Sequence, residues 1–388
     1  MRPGTRISPL GRARWRRFRS RPTAVVSSIL LLVILLLAAL APVIASDRPL
    51  LVRYEGSWFF PQLRAYPETD FGGFIPLNTD FRDPFIQQEI EAKGWILWSP
   101  IPFHYNRADD ALPSEAPTPP DARHWLGTDD AGRDVLSRLL HGIRISLLFG
   151  LIYSLVTASL GIAAGAAMGY LGGAVDLGFQ RLLEIFNSLP QFFILLSLVA
   201  IFRPSFTTIL LVLIAFGWTG MIGAVRAEVL RGRQLDYVMA ARALGVPQAR
   251  IVRRHILPNA FIAPMTLLPF AIAGSVTILS QLDYLGFGLP VNLPSLGEMV
   301  VQAQRNYAHA PHLVWAIFGG FGLLTTLIVF VGEGVRDALD PRKSLASITL
   351  EDVQRAAAGQ AATPEAAPQQ TAEDAQARSG ESEAGGRA

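Results

Sequence analysis

Six runs of uncharged, mostly apolar residues govern what this chain can fold into: 24–45, 145–175, 185–202, 204–225, 256–282 and 313–332. Crossing roughly 30 Å of hydrocarbon at about 1.5 Å per residue takes about 18 to 20 residues, and each run reaches that length. A segment in lipid must satisfy its own backbone N–H and C=O groups, so helices are expected. The period-two alternation of an outer-membrane barrel is absent. Composition agrees: of 388 residues, 51% are hydrophobic and 17% charged, against roughly 25% charged in ordinary soluble domains. The expected class is an all-α integral membrane protein with six transmembrane helices.

The first run follows an Arg-rich stretch and could be a signal peptide, but its length exceeds the 7–15 residues usual for a signal core. An uncleaved helix is the favoured reading. Orientation follows from arginine placement. Arg2, Arg6, Arg12, Arg14, Arg16, Arg17, Arg19 and Arg21 precede the first run, with no acidic residue before Asp47. Arg226, Arg231, Arg233, Arg242, Arg250, Arg253 and Arg254 lie between the fourth and fifth. Both segments should be cytoplasmic, and six spans then place both termini on that side. A nucleic-acid patch is the competing explanation of such basic runs, and their place between apolar spans argues against it.

The expected organisation is a basic N-terminus (1–23), a first transmembrane helix (24–45), a periplasmic insert (46–144), a core of five further helices (145–335) and a cytoplasmic tail (336–388). The tail, rich in Ala, Glu, Gln and Gly, should be disordered after about residue 350. The insert is dense in aromatics between Tyr54 and Tyr105, which predicts that it packs against something. Its prolines argue against long helices. Val135, Leu136, Leu139, Leu140 and Ile143 share a helical face, and Asp134 could pair with Arg138 at i,i+4. That stretch is either a short interfacial helix or the beginning of the second span.

Several chemistries are excluded. The chain has no Cys, hence no thiolate chemistry. Its only lysines, Lys93 and Lys343, do not lie in a Walker A loop, so the chain is no P-loop ATPase. His309 and His312 are three apart at the start of the sixth run, weakly reminiscent of a metal pair and more simply explained as solvated or interfacial. No metal site or catalytic constellation is expected. Within the six runs there is no charge: Glu184, Arg203, Glu228, Asp283 and Glu333 lie at or beyond their ends. Ion-coupled carriers place ionisable groups or broken helices near the midplane, so energy should come from elsewhere, or transport is passive. Gly161, Gly165 and Gly169, four apart, should form a groove for close helix packing.

The most informative segment reads DYVMAARALGVPQARIVRRHILPN, residues 236–259. Asp236 is the expected N-cap of a helix through Leu244, Gly245 its stop, and Pro247 the first turn of a second helix. A helix-turn-helix for DNA would look similar; a short helix offered to a partner's groove fits the setting better.

At these residues the chain resembles a known family. Ala240-Ala241, Gly245 and Leu257-Pro258 resemble the EAA loop of ABC-importer permease subunits, with Met239 where that motif carries Glu. HWLGTDDAGRDVLSRLLHGIR (124–144), LDYLGFGLPVNLPSLG (282–297) and GEGVRDALDPR (332–342) resemble stretches of oligopeptide and dipeptide permeases. The insert beginning DRPLLVRYEGSWFFPQL resembles that of the Yej-type group, associated with microcin C and peptide uptake. The resemblance covers nearly all of residues 1–345. It implies a type I (MetI-like) permease core in the bacterial inner membrane. It also implies an ATPase-coupling loop (226–258) carried by Asp236, Tyr237, Ala240, Ala241, Leu244, Gly245, Leu257 and Pro258. The implied partners are a second permease subunit in a heterodimer, an ATPase subunit that binds ATP and Mg, a periplasmic peptide-binding protein, a peptide substrate and membrane lipid, with no nucleic acid. An ATP-independent channel or structural membrane protein is the alternative; an integral-membrane enzyme has no cluster of polar residues to support it.

Overall fold

The computed structural model describes residues 9–340 apart from positions 203 and 291. Arg2, Arg6, Arg203 and the tail from 341, with its expected disorder, lie outside the described residues. The chain divides into two units. Residues 17–338 hold the architecture below; the other unit, 1–16 with 339–388, contributes among the described residues only the first turns of α1 (Pro9–Arg19) and the last residues of the final helix.

The first span, α2 (Pro22–Ala39), is shorter than the apolar run suggests. Pro42 has no N–H to give to the Ala38 carbonyl, so the helix stops and a single turn, α3 (Ala41–Ile44), follows. The insert then forms a three-stranded antiparallel sheet of β1 (Leu51–Tyr54), β2 (Ser57–Phe59) and β3 (Gly94–Leu97), ordered β2-β1-β3. Helix α4 (Pro84–Lys93) leads into β3 and is capped by Asp83, which accepts from the Phe85 N–H at 2.8 Å. Val52, Tyr54, Phe71, Phe81, Ile86 and Ile90 are its buried core, with the Phe71 ring centred 4.9 Å from Phe59 and 5.2 Å from Phe81. The aromatic density therefore builds a small core of its own. The helical class holds for the chain, with this sheet as an addition that period-two patterning was too short to reveal.

Helix α5 (Val135–Leu171) is unbroken for 37 residues. The stretch 135–144 is thus the first turns of the second span, not a separate interfacial helix. Gly172 and Gly173, with φ of +64° and +53°, end it and start α6 (Gly173–Ser188). The third span is broken: α6 and α7 (Gln191–Ile201) meet at 75°. Pro190 forces Leu189 into extended backbone, which a reading of 185–202 as one helix overlooks. The fourth span is α8 (Phe206–Gly217), a 3-10 turn (Trp218–Met221) and α9 (Ile222–Gly232). Two short helices, α10 (Asp236–Ala243) and α11 (Gln248–Ile251), precede a π segment (Val252–Ile256) and the single turn α12 (Leu257–Ala260). Then come α13 (Ile262–Tyr284), α14 (Leu296–Arg305) and α15 (Pro311–Leu339). Among the described residues five helices are long and apolar enough to cross a membrane, and the bent pair makes up to six.

Helix α5 is the axis of the bundle. Its Val135, Leu139 and Ile143 pack with Val276 of α13, Leu296 and Met299 of α14, and Leu313 and Ile317 of α15. Half-way along, Phe149 joins Leu195 and Val199 of α7, Ile209 and Leu213 of α8 and Leu279 of α13. Its last turns face α9. Lipid is as apolar as these side chains, so close van der Waals packing between the helices, and not removal of apolar area from water, holds the spanning part together.

Candidate functional site

Between the fourth and fifth spans the chain folds into a helical hairpin on a small apolar base. Val238 of α10 is fully buried with Val225 and Val229 of α9, Ile251, Ile256, Ala260 and Ala166, while Ala241 and Leu257 pack around them half-buried. The opposite face is open. Asp236, Ala240, Gly245 and Pro258 are exposed, and so are Tyr237, Met239 and above all Leu244, at 83%. Helix α10 thus offers small and apolar side chains to whatever meets it.

The turn has a defined construction. Gly245 sits at φ +74°; its N–H donates to the Arg242 carbonyl and that of Val246 to the Ala241 carbonyl, at 3.0 and 3.1 Å. These are the two bonds of a Schellman stop, and the left-handed position favours glycine. Two details differ from expectation. The N-cap is Leu235, and Asp236 is the first helical residue, where its charge faces the helix dipole without a capping hydrogen bond. Pro247 is the cap of α11, not a residue of its first turn. The π segment falls where Pro258 removes the N–H that the Arg254 carbonyl would accept. Asn259 donates to the Tyr237 hydroxyl at 3.4 Å, tying the two limbs.

The hairpin is stitched to α5 through glycines. A Cβ on Gly161 would lie 2.9 Å from the Met221 Cβ, one on Gly165 2.8 Å from the Ile222 oxygen, and one on Gly169 2.8 Å from the Val229 Cβ. All three face the limb that carries the hairpin, closer than any side chain permits. Arg233 adds a hydrogen bond to the Gly169 carbonyl at 3.2 Å.

At the other end of α5, charged residues that sequence reasoning did not connect lock the insert to the bundle. His124, 1% exposed, touches Asp134 through Nδ1 at 2.9 Å and Asp109 through Nε2 at 3.3 Å. Burial disfavours its charge, but the two carboxylates outweigh this and hold its pKa above the ordinary 6.5. Asp134 also caps α5 by accepting from the Ser137 N–H at 2.6 Å. It therefore does not pair with Arg138, as the i,i+4 spacing suggested. Arg138 lies 3.2 Å from Asp129 and bonds to Glu298 of α14. Arg133 bonds to the same two carboxylates. The density of Asp and Arg in 129–138 was the available signal, but Glu298, 160 residues away from Arg138, was not legible. His309 is exposed, His312 packs beside Gly127, and among the described residues no cluster of three metal-binding side chains occurs.

Comparison with known proteins accounts for this arrangement. Residues 161–345 match the family described as binding-protein-dependent transport system inner membrane component, and residues 8–55 match the N-terminal TM domain of oligopeptide transport permease C. The inner membrane ABC transporter permease protein YejE of Escherichia coli (strain K12) is 46% identical over 341 residues, covering 88% of this chain and 100% of that one. The peptidoglycan transport system permease protein YejE of Agrobacterium fabrum is 43% identical, over 87% of this chain and 94% of that one. The oligopeptide transport system permease protein OppC of Haemophilus influenzae is 35% identical, over 66% and 81%. The hairpin and the glycine seam fall within the matched region 161–345. The chain belongs to the binding-protein-dependent inner membrane components, the multi-pass permease subunits of ABC importers, whose ATPase is a separate polypeptide.

Proposed function

We propose that this chain is one half of the membrane pathway of an ABC importer for peptides. The family membership supports the transport role, and the names of the relatives, oligopeptide and peptidoglycan transport permeases, support peptides or peptide-bearing cell-wall fragments as cargo. Microcin C-like peptides belong to the same chemical class. The arginine-rich segments support a topology with the hairpin and both termini in the cytoplasm and the insert in the periplasm.

The observation that carries the reading is the face of α10. Tyr237, Met239 and Leu244 stand exposed beside Ala240, on a helix anchored by the one buried residue Val238. A protruding face of this kind suits a cleft on the ATPase, where ATP and Mg would be bound. Met239 brings an apolar contact to the place of the family's Glu. ATP-driven closure of the ATPase dimer would push on α10, and the glycine seam would pass the displacement to α5. A ligand shifts such an equilibrium only through different contacts in each state. The cycle also calls for a second permease subunit, giving a heterodimer, and for a periplasmic binding protein that delivers the peptide.

The test is uptake of a labelled peptide together with co-purification of the ATPase. Gly245→Pro, which cannot adopt positive φ, and Ala241→Glu, which puts a charge against the hairpin's apolar base, should abolish both while the chain still inserts in the membrane. Unchanged uptake and co-purification in both variants would refute the docking role.

A further inference from the structure

A cavity of about 670 Å³ lies between the insert and the first turns of α5, away from the hairpin and the glycine seam. Its lining is polar and its charges are unevenly matched. Arg107 holds Asp80 at 2.8 Å and reaches Asp47 at 3.9 Å. Arg48 and Arg144 line the same cavity and form no ion pair among the described residues. Two guanidinium groups of the lining are therefore left outside any ion pair, while Arg107 engages both carboxylates.

Acceptors face the same space. Asp80 uses Oδ1 for both Arg107 and the Arg82 N–H, leaving Oδ2 uncommitted. His141 is buried, and its Nδ1 lies 2.9 Å from the Ser137 carbonyl. A carbonyl only accepts, so Nδ1 carries a proton, and in the neutral form of the ring Nε2 is an acceptor. The Tyr105 ring, centred 4.7 Å from that of His141, holds the imidazole in place.

We propose that this cavity binds a small solute bearing both a free carboxylate and a protonated amine, such as a short peptide with free termini. The carboxylate lies on Arg48 and Arg144; the ammonium faces Asp80 and His141 Nε2. Planar guanidinium groups suit a carboxylate, with two N–H donors matched to its two oxygens. The inference rests on the importer reading and adds to it a site for cargo on the permease itself, next to the insert. Pro42, at the end of the first span, and Arg144 also line the cavity, so the phosphate of an anionic lipid is the competing occupant, and the experiment separates the two.

The full chain, purified with its ATPase in phosphatidylcholine nanodiscs, is titrated with trialanine, its C-terminal amide and its N-acetyl form. Trialanine is expected to bind, and the amide at least about tenfold more weakly, the scale of one lost charge-assisted contact. Arg48→Gln and Arg144→Gln should each lower trialanine affinity about as much as amidation does, and Asp80→Asn should match N-acetylation, with the ATPase still co-purifying. Equal affinity for trialanine and its amide, or no effect of either arginine variant, overturns the proposal. So does loss of trialanine binding when phosphatidylglycerol is added, if Arg144→Gln abolishes the lipid effect, because the occupant is then a headgroup. No peptide binding by a preparation that retains its ATPase also overturns it and leaves the importer reading intact; failure of the unaltered chain to retain the ATPase counts against that reading instead.

Discussion

Arg226 of α9 grips Asp176 of α6 with two parallel hydrogen bonds, Nε to Oδ1 and Nη2 to Oδ2, both 2.6 Å. Fifty residues separate the partners, and the pair fastens the bent third span to the helix that leads into the hairpin. The side chains are only 29% and 15% exposed, so loss of one partner strands a poorly solvated charge. Arg226→Ala should destabilise the detergent-solubilised chain by about 1–3 kcal/mol, with Asp176→Ala adding little in the double variant. Thermal unfolding of the four-member cycle measures the coupling; strictly additive losses would mean that the pair contributes nothing.

The glycine seam makes a graded prediction. Gly165→Ala places a methyl 2.8 Å from both the Ile222 oxygen and the Val225 Cβ, and backbone cannot move aside as a flexible side chain can. A cost of about 1–3 kcal/mol is expected, the usual range for overpacking. Gly178→Ala, where an added Cβ meets nothing within 4 Å, should be neutral or stabilising. Equal unfolding temperatures for the two variants would show that the seam is looser than it looks.

Leu244 separates docking from folding. It is 83% exposed at the tip of the hairpin, so Leu244→Asp should leave the unfolding midpoint within about 0.5 kcal/mol. Capture of the ATPase should nevertheless fall about tenfold or more, as an apolar anchor becomes a charge. Pull-down against a titrated ATPase reads the loss.

The His124 lock should depend on pH. Its folded pKa is raised above 6.5, against the opposing effect of burial, by Asp134 and Asp109, and Arg123 sits 3.0 Å from Asp109 as the nearest competing cation. A raised histidine pKa means that the folded state binds the proton more tightly. The added stability is fully present below about pH 6.5 and is lost as pH rises through the raised value. Hydrogen exchange across residues 104–134, corrected for intrinsic rates, should show protection falling as pH rises above about 6.5. His124→Gln should flatten that dependence, and a protein whose protection is pH-independent without the substitution would disprove the lock.

Much of this was legible in the residues, and the misses have physical causes. The apolar runs located the spans because lipid demands length and hydrophobicity from each of them. Their ends were misjudged where charged residues belong to the helix. Arg138 and Arg144 are inside α5 and Arg226 and Glu228 inside α9, and Arg138, Arg226 and Glu228 find ion-pair partners that hydropathy does not register. Pro42 and Pro190 were printed breaks read too lightly. The hairpin was legible because Gly245 and Pro258 constrain backbone locally. The contacts of His124 with Asp109 and of Arg138 with Glu298 depend on the tertiary path of the chain, which spacing alone does not encode. The strands of the insert, three or four residues each, were too short to display a period.

Thirty-seven residues of continuous helix measure about 55 Å, close to twice the thickness of hydrocarbon it crosses. The surplus is a mast. The aromatic canopy and its charged collar ride at one tip, and the foot is sewn to the limb that bears the hairpin. A rod of that stiffness has no joint between Asp134 and Gly172, so tilting its foot must swing its tip, and gripping the tip must hold the foot still.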